Sequence, residues 1–159
     1  MKALKLGVEV KDTVSGTKGI LTHLIINMSF GKEYIFQPGL LSPETGKPVE
    51  AILVDEARIK GGVKEKVDIP LEIMGEKGID KATKFKGTIA KIYLHINGCV
   101  HVSLKPKGTN KTTGDTLDAV EFDIRRIECE KLTELTEAEL KESLKTKPSP
   151  LAISSKIKI

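Results

Sequence analysis

The chain has 159 residues, 39% hydrophobic and 30% charged, with a net charge of +4. That length holds one ordinary domain or two very small ones. No apolar run approaches the ~20 residues of a membrane span, and Met1-Lys2-Ala3-Leu4 leads into no apolar stretch of the kind a signal peptide needs.

Aromatic residues are scarce and Trp is absent, so the core falls to Ile, Leu and Val, a composition that favours strands. In Leu6 to Asp12, Leu6, Val8 and Val10 alternate with Glu9 and Lys11, which predicts a half-buried strand. Ser15-Gly16 and Lys18-Gly19 follow as turn signals. Ile20 to Met28 is rich enough in apolar residues for a strand buried on both faces. Ser29-Phe30-Gly31-Lys32 turns the chain into a returning strand, Glu33 to Gln37, closed by Pro38-Gly39. After a polar excursion, Leu41 to Pro48, the next strand runs from Val49 to Val54, and Arg58-Ile59 opens a short last one.

The same module is then written again. With an offset of 68 and no gaps, residues 7–59 meet residues 75–127 with eleven identities. Gly7 falls on Gly75, Asp12 on Asp80, Lys18-Gly19 on Lys86-Gly87, and Arg58-Ile59 on Arg126-Ile127. Core positions match conservatively, as in Leu21/Ile89, Leu24/Ile92 and Val54/Phe122. A repeat that keeps both turn and core residues is a tandem duplication. Gly61 to Lys66 reads as the link, and Val67 to Met74 alternates like a further strand. Asn97-Gly98 is the pair that a two-residue type I′ hairpin prefers. Gly19 and Gly87 are expected in turns closed to β-branched residues. Five short strands per copy, bounded by Gly and Pro, predict a small barrel or sandwich, most economically SH3-like.

The duplication ends at Ile127. Thr136 with Glu139 fits a capping box, and Glu137 to Lys145 reads as a helix with Leu140 and Leu144 on one side. Thr146-Lys147-Pro148-Ser149-Pro150 is an extended spacer. In the final stretch Ile153, Ile157 and Ile159 share one face of an extended segment, with Leu151 before them. Such a segment adds a strand to a sheet, either its own or a neighbouring subunit's.

Chemistry is sparse. His23, His95 and His101 align with Lys91, Asn27 and Glu33, so no histidine site is common to both copies. None of the usual nucleophile, phosphate-loop or zinc-protease motifs is present, which argues against an enzyme. His95, Cys99 and His101 lie within seven residues, with Cys129 further on, but no paired Cys-x-x-Cys supports a zinc site. The two cysteines read as reduced thiols of a protein made in the cytoplasm. No metal or cofactor is expected. The recurring acids Glu50/Asp118 and Asp55/Asp123 read as structural, with the aspartates capping turns. The opening from Gly7 to Ile20 looks like a KOW-type SH3-like barrel, and Lys5, Lys11, Lys18, Lys84, Lys86 and Lys91 are the residues for a basic stripe. No aromatic stacking platform accompanies them.

The run Val10-Lys11-Asp12-Thr13-Val14-Ser15-Gly16-Thr17-Lys18-Gly19-Ile20, with Gln37-Pro38 and Asp55-Glu56, resembles small proteins of tailed bacteriophages and prophages. Those are single modules with a K-D-x-V-[ST]-G-x-x-G opening and an N-G-C hairpin, here Asn97-Gly98-Cys99 in the second copy. The resemblance carries no activity; it implies a phage origin.

The expected organisation is mainly β. A first module spans residues 1–60, a linker 61–70, a second module 71–130, and a C-terminal helix and arm 131–159. The expected role is that of a non-enzymatic virion accessory or structural protein, of the capsid decoration, collar or tail-attachment type. It would assemble with copies of itself or with other virion proteins through Leu151, Ile153, Ile157 and Ile159 of the arm. The runner-up is a KOW-like regulator that binds nucleic acid or a host factor.

Overall fold

A computed structural model describes residues 1–145. The expected arm, with Leu151, Ile153, Ile157 and Ile159, lies outside the described residues. Among the described residues the fold is mainly β, with one α-helix and sheets that do not close into barrels.

The first copy contains β1 (Lys2–Leu4), β2 (Glu9–Asp12), β3 (Lys18–Asn27), β4 (Lys32–Pro38), β5 (Ile52–Asp55) and β6 (Ile59–Lys60). A 3-10 turn, Glu56–Arg58, separates β5 from β6. After β7 (Lys64–Lys66), the second copy repeats this plan as β8 (Lys77–Asp80), β9 (Lys86–His95), β10 (Val100–Lys105), β11 (Val120–Asp123) and β12 (Ile127–Glu128). Its 3-10 turn is Ile124–Arg126. In each copy the last strand returns to pair the first strand of the repeated unit, β6 with β2 and β12 with β8, while β1 lies outside the repeat and pairs β7.

The two copies are joined edge to edge. β3 pairs β9 antiparallel, with Ile25 opposite Tyr93. The result is a continuous six-strand path, β5-β4-β3-β9-β10-β11. The ten-residue strands β3 and β9 can serve several neighbours because each bends at an extra residue. Between Leu21 and His23 the register shifts at Thr22, and between Ile89 and Lys91 it shifts at Ala90. A bulge of this kind kinks the strand and increases its twist. Leu24, Ile26, Tyr34 and Phe36 from the first copy, and Ile89, Ile92, Val102 and Leu104 from the second, then share one buried cluster.

Several expectations change in three dimensions. β1, which the sequence pattern does not mark, is anchored by the buried Tyr34 hydroxyl, which accepts from the Leu4 amide at 3.0 Å. Burial pushes that phenol up to about 12. The stretch read as a linker contains β7, paired to β1. Val67 to Met74 is not a strand: Pro70 has no amide to offer a ladder, and Leu71–Ile73 forms a 3-10 turn instead. The strand expected from Val49 begins at Ile52. At Asn97-Gly98 only Gly98 has positive φ, and the Gly98 amide donates to His95 O at 2.9 Å. That is a three-residue hairpin with glycine in the left-handed position rather than a type I′ turn.

Gly19 and Gly87 lie inside β3 and β9, not in turns. They are needed because the neighbouring backbone passes too close: a Cβ at Gly19 would collide with the Gln37 carbonyl, and one at Gly87 would sit 2.8 Å from Lys105 O.

The helix α1 runs Glu130–Lys145, seven residues longer at its start than the capping box suggests. Thr136 is within it, and its hydroxyl donates to Leu132 O at 2.9 Å. Leu132 and Leu135 pack on the core, whereas Leu140 and Leu144 are exposed. The positions equivalent to β7 fall in α1, and those equivalent to β1 fall at the Leu71–Ile73 turn. The helix therefore packs where the first copy has a two-strand ribbon.

Candidate functional site

Alternation along the strands sends Leu24, Ile92, Val102 and Phe122 into the core. The intervening residues His23, Tyr93, His95, His101, Glu121 and Asp123 therefore occupy the outer face of the sheet. All three histidines of the chain meet there. His23 stands opposite His95 across the seam between copies, with ring centroids 4.3 Å apart. The His101 ring lies 4.2 Å beyond His95. Glu121 closes the group, its Oε1 at 2.8 Å from His101 Nδ1 and 3.4 Å from His95 Nε2.

The cluster has a graded environment. Burial, then the neighbouring His95, push His23 below the ordinary imidazole value, with Glu121 opposing them. The Thr22 hydroxyl is 2.8 Å from His23 Nδ1. Among the described residues His95 Nε2 is buried and finds no hydrogen-bond partner, its approach to Glu121 being outside hydrogen-bond geometry. Behind His101, Asp123 Oδ2 lies 3.9 Å from Nε2. Asp123 is itself held by Arg125, which donates from Nε at 3.0 Å and Nη2 at 2.8 Å. That guanidinium holds the Asp123 carboxyl well below the usual carboxylate range.

The donor set differs from the one suggested by sequence spacing. His95 and His101 do converge, but with Glu121 rather than with the thiols. Cys99 is half-buried in the hairpin, and Cys129 is buried in the core. Glu121 is brought in by the β10–β11 ladder, where Ser103 faces Glu121 and His101 faces Asp123. One sequence signal could have found it: at the equivalent position the first copy carries Leu53. The symmetry-equivalent corner holds Asn27, Glu33 and Leu53 of the first copy with Lys91 of the second across the seam, and no imidazole.

The other sequence-read residues disperse. Asp123 caps its 3-10 turn by accepting from the Arg125 amide at 2.8 Å, as the turn-capping reading requires. Asp55 makes no side-chain cap bond. Glu50 and Asp118 are exposed in loops. Lys18 and Lys60 both stand opposite Lys11, which makes a row of three lysines across β3, β2 and β6. Lys91 lies apart at the seam, opposite Asn27.

Among the described residues the six-strand path ends in two unpaired edges, β5 and β11, which occupy equivalent positions in the two copies. Ile52 and Leu53 on one edge, and Val120 on the other, are 37%, 48% and 41% exposed. No helix among the described residues is long and apolar enough to cross a membrane. Compared with protein-family models, with curated proteins and with solved structures, the chain gives no match.

Proposed function

We propose that the protein is a non-enzymatic virion accessory protein of the decoration, collar or tail-attachment type. It assembles by strand addition, with copies of itself or with another virion protein. The observation that carries this reading is the pair of open edges, β5 and β11, with apolar side chains exposed on each. An unpaired edge presents a row of backbone donors and acceptors, and natural proteins normally cover or charge such strands. The sequence after residue 146 supplies a complementary element. Leu151, Ile153, Ile157 and Ile159 fall on alternate positions, with Ser154, Lys156 and Lys158 opposite, the pattern by which an extended segment joins an edge. Each copy is read as an SH3-like unit opened along one side. The meander order and the 3-10 turn before the returning strand support that.

The test is sedimentation velocity of the full chain against a chain lacking residues 147–159 and against Leu53→Lys with Val120→Lys. Full-length protein forms oligomers or co-purifies with particles, and all the altered chains lose this while keeping their β-rich circular dichroism. Normal assembly by the shortened chain would remove the arm from the account. Normal assembly by the edge variant would remove the edges.

A KOW-like regulator that binds nucleic acid or a host factor is the second reading. The Lys18–Lys11–Lys60 row favours it, because like charges directly opposite one another cost stability unless an anion joins them. Titration with short nucleic acids at rising salt tests this: affinity that falls steeply with salt supports phosphate contacts, and absence of binding at about 100 mM salt rejects them.

A further inference from the structure

The geometry points to a divalent transition-metal site of the zinc class on the outer face of the second copy, with His95, His101 and Glu121 as protein ligands. This site stands independently of the assembly role. Two imidazoles and a carboxylate are a donor set that zinc accepts, with a further position left for water. The candidate ligand atoms all lie within 4.8 Å of one another. Tetrahedral bonds of about 2.0–2.1 Å require ligand separations of roughly 3.3 Å. Glu121 Oε1 already spans 2.8 Å to His101 and 3.4 Å to His95, so small side-chain rotations complete the set.

A second observation points to a ligand. Among the described residues His95 Nε2 is buried and has no hydrogen-bond partner. An orphaned polar atom of this kind is costly and calls for a partner. A metal held by Glu121 and His101 is placed to provide one. The surroundings fit as well: with Nδ1 of His101 on the metal, Nε2 is left free toward Asp123 Oδ2, 3.9 Å away, where a small closing movement would supply the carboxylate partner that liganding imidazoles use. Arg125 fixes Asp123 in turn. His23 flanks the site, 4.3 Å ring to ring from His95, and is not one of the three ligands.

The three ligands come from β9, β10 and β11. A bound ion therefore ties the open edge strand β11 to the sheet, and binding to the folded form raises the melting temperature. Nothing equivalent forms in the first copy, where Asn27, Glu33 and Leu53 occupy these positions.

The experiment uses the full chain without an affinity tag, titrated with Zn²⁺ by calorimetry and with Co²⁺ by absorption. The expected result is saturable binding of one ion per chain, a raised melting temperature, and a cobalt spectrum without a thiolate charge-transfer band. His101→Ala and Glu121→Gln each weaken binding by at least about ten-fold. Cys99→Ser leaves it unchanged. Circular dichroism establishes that each variant is folded, and Glu121→Gln, the conservative change, decides if His101→Ala is not. Three results would overturn the site: absence of saturable binding by the wild-type chain, a thiolate band, or equal affinity in a folded Glu121→Gln variant.

Discussion

Ile25 and Tyr93 face each other across the seam between the copies, and they are also equivalent residues of the duplication, 68 positions apart. An antiparallel pair in which a residue meets its own counterpart places a local two-fold axis between them. The duplicated module thus pairs with itself as a symmetric dimer would, with the partner on the same chain. Because the seam is a main-chain ladder and the core is a single cluster, the copies should unfold together. Calorimetry is expected to show one transition, with equal calorimetric and van't Hoff enthalpies. Ile25→Ala, which empties a buried position at the axis, should cost about 2–3 kcal/mol in that same transition.

Acid should destabilise the protein through two equivalent ion pairs. Asp12 and Asp80 are fully buried. Arg58 grips Asp12 at 3.0 and 2.7 Å, and Arg126 grips Asp80 at 2.9 and 2.7 Å. These guanidinium groups hold both carboxyls well below the usual carboxylate range. The unfolded chain therefore takes up these protons first as pH falls. The stabilisation is complete above the ordinary Asp value of about 3.9 and is lost as pH falls through the depressed folded values. Denaturant melts across this range should show the wild-type midpoint falling steeply. Asp12→Asn and Asp80→Asn should each start lower at neutral pH and fall less.

Close backbone passage at Gly19 and free space at Gly16 predict opposite sensitivities to a methyl group. Gly19→Ala drives a Cβ into the Gln37 carbonyl on β4 and should cost about 3 kcal/mol. Gly16 has a φ of +74°, but a Cβ there would meet nothing within 4 Å, so Gly16→Ala should cost only about 1 kcal/mol. Urea melts of the two variants give the ranking, and equal losses would show that strand contact is not what selects glycine at position 19.

Two residues in the left-handed region should gain from becoming glycine. Phe30 (φ 61°) occupies the place that Gly98 fills in the second hairpin, and Lys84 (φ 64°) the place of Gly16. Phe30 is also 56% exposed, so little packing is lost by truncating it. Phe30→Gly and Lys84→Gly should each stabilise by about 0.5–1 kcal/mol, because relief of the left-handed strain exceeds the added freedom of the unfolded chain. A rise in thermal midpoint checks each one separately.

The repeat and most strands were legible because they rest on local chemistry: alternation, turn residues and a matched spacing of 68. Even Asp12/Asp80 and Arg58/Arg126 stood out as identities, though their pairing across 46 residues did not. The Leu71–Ile73 turn and the early start of α1 escaped the sequence pattern because alternation and a capping box are weak signals where tertiary packing on Ile73, Leu132 and Leu135 decides. The histidine cluster was only partly legible. His95 and His101 were close in sequence, which suggested Cys99 as their companion, whereas the ladder supplied Glu121.

The amino-acid sequence by itself determined a duplicated β module with a helix after it, since strand period and turn chemistry act over a few residues. Only the tertiary structure decided how the copies meet. Pairing β3 with β9 about a local axis is a long-range choice, made by which edges remain to be covered and which side chains the core can hold. That choice set His23 beside His95, and the β9–β10–β11 ladder brought His101 and Glu121 to the same face.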